Sequence, residues 1–216
     1  MKKSLIATLL IGATVLPALQ GCFPVVAAGV TSGVMATVDR RSLGTQTEDE
    51  TIEWKASAQV SEKLGDKAHL NFTSYNRKVL MTGEVPNEDA RSEAERIVGG
   101  LPNVNGVYNE LVVGPASSYT NRSNDSFITS KVKSRSVDSG KFNPVHVKVV
   151  TEAGSAFLLG MVTQAEADAA INVARTTSGV KKVVNLMEII TPAKARELDV
   201  VQKSGSNSKP AEVRNP

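Results

Sequence analysis

Cysteine and tryptophan each occur once in the 216 residues, histidine twice, and aromatics make up only 4% of the chain. A single cysteine excludes a disulfide framework. Two histidines and one cysteine, none at metal-ligand spacing, leave no zinc signature. There is no G-x-S-x-G elbow and no glycine-rich phosphate loop after a strand. The sequence therefore reads as a non-enzymatic protein with no cofactor and no metal. One-sided charge is also scarce. The formal net charge is +3, and removing Lys2 and Lys3 at the extreme N-terminus leaves 3 − 2 = +1. That balance supplies no basic face and excludes nucleic acid as a partner. After residue 40 no apolar run is long enough to cross a membrane.

What is present begins at the N-terminus. Lys2 and Lys3 precede an uncharged apolar run from Leu5 to Leu16, which Pro17 breaks. A positive segment, a short apolar segment and a small residue before the cut make a secretory signal peptide. The run is too short to span a bilayer. Pro17, Gln20, Gly21 and Pro24 oppose reading residues 5–38 as a membrane hairpin. The stretch Leu19-Gln20-Gly21-Cys22 resembles the lipobox of bacterial lipoproteins, with Leu at −3, Gly at −1 and Cys at +1, and the less usual Gln20 at −2. The resemblance implies removal of residues 1–21 and acylation of Cys22, palmitate included. Phe23, in place of the Asp that marks inner-membrane retention, implies the outer membrane. The alternative is cleavage after Val26-Ala27-Ala28, which would discard Cys22. Residues 22–46 form a tether with a root-mean-square reach of roughly 25–30 Å.

From residue 47 the chain repeats itself. Thr47 with Glu50 makes a capping box, and Ile52, Ala56, Val60 and Leu64 then recur at helical spacing. Leu70 and Phe72 alternate with polar residues, a strand pattern, and Val79 to Thr82 before Gly83 form a second strand. Asn87 caps a helix with Ala90, Ala94, Ile97, Val98 and Leu101 on one face. Leu111-Val112-Val113 closes the unit. A linker over 115–123 follows, and the order returns over 124–191. His146-Val147 matches His69-Leu70, Gly160 matches Gly83, Thr163 with Glu166 caps a second helix, and Asn185 to Ile189 matches Asn109 to Val113. Domains are expected over 47–114 and 124–191, with a disordered polar tail over 192–216.

A glycine closing the second strand (Gly83, Gly160), a capped helix, then Gly-Val (Gly106-Val107, Gly179-Val180) before a strand near Asn resembles the BON domain. That resemblance implies an α+β fold of two tandem αββαβ units, each a small three-stranded mixed sheet with two helices on one face. Two such units behind a lipobox resemble dual-BON outer-membrane lipoproteins. The local stretches Asp39 to Gln46, Val107 to Glu110 and Asn124 to Lys133 sharpen it. The family implies a periplasm-facing protein that binds anionic phospholipid through the first helix of the second domain and supports envelope integrity. Relatives carry Trp on that helix where this chain has Phe127, which keeps the apolar wedge and loses the indole N–H.

The residues themselves point to the same helix. Ile128 and Val132 lie about 40° apart, a core stripe, and Phe127 with Lys131 and Ser134 forms a neighbouring one. Arg135 borders both, Lys133 lies opposite, and Arg122 stands just upstream. An aromatic among cations suits a membrane surface. The lipid-binding set is thus Phe127, Ile128, Lys131, Val132, Lys133, Arg135 and Arg122. Two alternatives stand beside it: Phe127 staples the helix entry, or the helix docks an envelope or division protein. The chain is expected to be a monomer. His69 and His146 are expected as exposed sheet residues, Trp54 as a packed one, and Glu84 with Glu88-Asp89 as carboxylates favouring a helix start.

Overall fold

The computed structural model describes residues 39–65 and 68–206; Cys22, the lipobox and residues 22–38 of the tether lie outside them. The first domain runs α1 (Leu43–Leu64), β1 (His69–Tyr75), β2 (Lys78–Val85), α2 (Glu88–Gly99), β3 (Gly106–Val113). The second runs α3 (Tyr119–Ser139), β4 (Val147–Glu152), β5 (Ser155–Val162), α4 (Gln164–Arg175), β6 (Lys182–Asn185) and β7 (Glu188–Ile189). A last helix, α5, covers Pro192–Ser206, where the polar composition suggested disorder. Thr191 Oγ1 accepts from the Lys194 N–H, and Ala195 is buried, so that helix has a cap and an apolar contact.

In each domain the central strand pairs antiparallel on one side and parallel on the other. Leu70 lies opposite Gly83 and Val147 opposite Gly160, so the 77-residue repeat offset is kept residue for residue. Both glycines sit inside their strands, two residues before the end, rather than closing them. The second sheet has four strands because its last strand is split into β6 and β7, with the Met187 N–H at the break donating to Asn185 Oδ1.

Both first helices start earlier than their sequence caps suggest. Ser42 accepts from the Thr45 N–H and Ser118 from the Asn121 N–H. The acids Asp49 and Asp125 are thereby freed to point inward. Asp49 accepts from the Asn76 and Arg77 N–H groups, and Asp125 from those of Ala153 and Gly154. These are hairpin turns whose two central residues have positive φ in both copies.

Ile52, Ala56, Val60, Ala90, Ala94 and Val98 close the first core over Val79, Met81 and Val85. Ile128, Val132, Ala167, Ala170 and Ala174 close the second over Val149, Leu158 and Val162. The other sheet faces are not left to water. Tyr75 and Leu80 pack on Phe157 and Leu159, joined by Tyr108, Val150, Met161, Val184 and Leu186. The two sheets meet face to face, and the helix pairs lie outside them. Trp54, expected in a core, is 71% exposed on α1, because the inward stripe is taken by Ile52 and Ala56.

A buried arginine locks this seam. Arg40, just before α1, is 4% exposed and pairs with Glu166 and Asp199 at 2.9 Å each, while donating to the Met161 carbonyl. Burial alone would push the Glu166 carboxyl up. The Arg40 guanidinium and the Thr163 N–H outweigh it and hold the carboxyl at about 2, against 4.5. A depressed carboxyl binds its proton less in the folded state, so its stabilisation is complete above pH 4.5 and lost as pH falls toward 2. The whole contribution is on the order of 3 kcal/mol. Glu166→Gln should therefore melt below wild type near neutrality, and the gap should close through that acid window in a series of thermal melts.

Candidate functional site

Helix α3 carries the predicted lipid-binding residues, and burial sorts them. Ile128 and Val132 are 2% and 1% exposed, inside the second core, so neither can meet a lipid. The alternation of α3 between core and solvent decides this: Asp125, Ile128, Val132 and Ser136 form its buried edge. Phe127, one residue round from Ile128, is 62% exposed. Its ring is flanked by the Lys131 ammonium, 4.9 Å from the centroid. Lys131 is itself fixed by donating to the Ser178 carbonyl. Gly179 makes that close approach feasible: its φ is +101°, and a Cβ there would sit 2.9 Å from the Ile128 side chain. Gly179 thus seats α3 on the loop after α4; Gly106 has no such part, since it opens β3 and a Cβ there would meet only Lys78 Cγ, at 3.9 Å.

The cations differ in freedom. Arg135 is tied to the end of α4, donating to Thr177 Oγ1 at 2.8 Å, Thr176 Oγ1 at 3.0 Å and the Val173 carbonyl at 3.3 Å. Such a cation satisfies the last carbonyls of a helix and opposes its dipole, a structural task. Lys133 is exposed and, among the described residues, has no hydrogen bond or ion pair. Arg122 is half-buried and stacks over the Tyr119 ring at 4.3 Å.

Tyr119 is the residue that sequence reasoning missed. With the helix expected to begin at 124, residues 118–123 read as linker, whereas Ser118 caps a helix nearly two turns longer. Tyr119 is 82% exposed, and Val137, about five turns further on, points the same way at 66%. Between them lie Ser123, Ser126, Ser130 and Ser134, all exposed. The outward face of α3 is therefore two aromatics and a valine on a carpet of hydroxyls, edged by Arg122, Lys131 and Lys133. The Asp125 carboxylate is turned inward, and Asp138 is the one exposed acid on the helix. Such a face can insert rings at headgroup depth and offer donors and positive charge to phosphates.

The histidines are not exposed sheet residues. His69 Nδ1 lies 3.2 Å from Glu84 Oε2, and His146 is buried in a 3₁₀ turn (Pro144–His146) beside Glu166 and Asp199. Glu84 is likewise no helix-start acid; Glu88 and Asp89 occupy that first turn.

The BON domain model matches twice, over residues 49–115 and 124–191. Outer membrane lipoprotein DolP of Haemophilus influenzae is 41% identical over 184 residues, 84% of this chain and 94% of that protein. A 21 kDa hemolysin of Actinobacillus pleuropneumoniae is 37% identical over 155 residues, 71% of this chain and 80% of that one. Osmotically-inducible protein Y of Escherichia coli is 30% identical over 137 residues, 60% of this chain and 68% of its own length. Two αββαβ units and these matches place the chain in the BON-domain family, with two copies of the domain.

Proposed function

We propose that the chain is an outer-membrane lipoprotein, anchored through acylated Cys22 and facing the periplasm, which binds anionic phospholipid through the outward face of α3 and so supports envelope integrity. Similarity to DolP over most of the length supports the location. The observation that carries the lipid reading is the exposed Phe127 ring beside Lys131, directly above a core that does not need it. Burying Phe127 contributes about 2 kcal/mol, and each neighbouring cation about 1 kcal/mol. Three cations bring the sum to about 5 kcal/mol, a dissociation constant on the order of 0.1 mM. That is weak for an untethered protein. An acyl anchor raises the effective concentration, so the same face reads local lipid charge reversibly.

Vesicle sedimentation tests this. The soluble chain lacking residues 1–22 should pellet with vesicles containing anionic lipid and not with neutral ones. Lys133→Glu should weaken pelleting about tenfold or more, since one attractive charge becomes repulsive. Its deficit should shrink as salt rises past 0.1 M, where the screening length is about 10 Å. Equal pelleting with neutral vesicles would reject charge recognition, and no pelleting with either kind would reject lipid binding and favour a protein partner for this face.

A further inference from the structure

At the seam between the domains three ligating side chains converge from three strands: His69 of β1, Glu84 of β2 and Glu152 of β4. Their donor atoms all lie within 4.8 Å of one another. Both carboxylates are held from behind. Glu84 Oε2 accepts from the Ser117 N–H at 3.0 Å, and Glu152 Oε2 accepts from Asn71 Nδ2 at 2.9 Å and, more loosely, Thr82 Oγ1 at 3.5 Å. Such outer partners orient ligands around a metal. Among the described residues neither carboxylate pairs with a lysine or arginine; the imidazole of His69 is the nearest compensating group. Glu152 is only 9% exposed, so its carboxylate is largely withdrawn from water. A second sign comes from Ser117, whose hydroxyl is buried without a hydrogen-bond partner. It lines a cleft of about 420 Å³ together with Glu84, Asn121, Asp125 and Lys181, so the Glu84 edge of the cluster borders open space.

We propose that His69, Glu84 and Glu152 bind a divalent transition-metal ion that ties the first domain to the second. One imidazole nitrogen and two carboxylate oxygens suit Zn²⁺ or Mn²⁺ better than Ca²⁺, which takes six to eight oxygens, or Mg²⁺, which keeps its waters. Three protein ligands would leave a fourth position for water. The sequence carries no sign of the site because its ligands are 15 and 68 positions apart and meet only through strand pairing and sheet stacking. The inference rests on the seam alone and stands apart from the lipid reading.

The test uses the full chain in detergent, stripped with EDTA and titrated with ZnCl₂ by calorimetry, with parallel melting curves. Wild type should take up one Zn²⁺ and melt roughly 5 °C higher at a hundredfold excess over its dissociation constant. His69→Gln and Glu152→Gln should each lose about tenfold or more in affinity. Metal-free Glu152→Gln should melt no lower than metal-free wild type, since it removes a buried carboxylate, which separates binding from folding. Phe127→Glu should bind Zn²⁺ as wild type does. No saturable binding by wild type, or affinity equal to wild type in both ligand variants, would overturn the proposal and leave a His69–Glu84 hydrogen bond.

Discussion

Phe127→Glu should weaken binding to anionic vesicles more than about a hundredfold while leaving the melting temperature close to wild type. The substitution removes about 2 kcal/mol of apolar burial and sets a negative charge against lipid phosphate, a further 1 kcal/mol or so. Together that is about 3 kcal/mol, a little over two decades in the dissociation constant. Folding should survive because the ring is 62% exposed, whereas Ile128 beside it is 2% exposed and closes the core. The staple alternative needs an apolar residue just before the cap packed on the fourth helical position. Phe127 is the ninth residue of a helix that starts at Tyr119, too deep for that role. Sedimentation and a thermal melt on the same preparations check both halves: unchanged binding would reject this face, and a large drop in melting temperature would restore a packing role for the ring.

Gly160→Val should be the most destabilising single change in the second domain, by about 4 kcal/mol or more. A Cβ at this position would stand 2.3 Å from the His146 carbonyl oxygen, and backbone cannot swing away as a side-chain tip can. Strand β5 would have to part from β4, and it also carries Phe157 and Leu159 into the seam. The damage should therefore reach the first domain, so that chemical denaturation followed by Trp54 fluorescence and by far-UV dichroism gives one coincident transition. A two-step curve with the Trp54 signal unmoved would mean that the seam does not couple the halves. Gly83→Val should behave alike, with strain added: its φ is +114° and the Cβ would lie 2.0 Å from the His69 carbonyl oxygen.

The element order and the repeat were legible because periodicity is local: Ile52, Ala56 and Val60 announce a buried stripe whatever lies against it. Helix starts were less legible. Thr47 with Glu50 has the right spacing for a cap, yet Ser42 lies upstream with Arg40 and Arg41 pinned by ion pairs, and the longer helix wins. Long-range facts left no trace in spacing. Arg40 meets Glu166 across 126 positions, and Glu152 meets Asn71 across 81. Within the candidate site, Phe127 and Lys131 were legible from angular position on α3. Ile128 and Val132 belonged to the core by the same geometry, and Tyr119 was hidden by a serine-rich stretch that looks like linker but caps a helix.

The seam makes each copy the cover of the other. Leu80 and Phe157 occupy the same place in the two copies, 77 positions apart, and each lies on the sheet face turned toward the other copy. An interface in which equivalent positions face one another is that of a two-fold dimer. One copy alone would leave this apolar face open, and covering it with a second molecule would depend on concentration. Joining two copies through residues 114–118 makes that pairing intramolecular and independent of dilution. The facing sheet surfaces are apolar in both halves, while the outer helices differ, with Phe127 and Tyr119 exposed on one and Trp54 on the other.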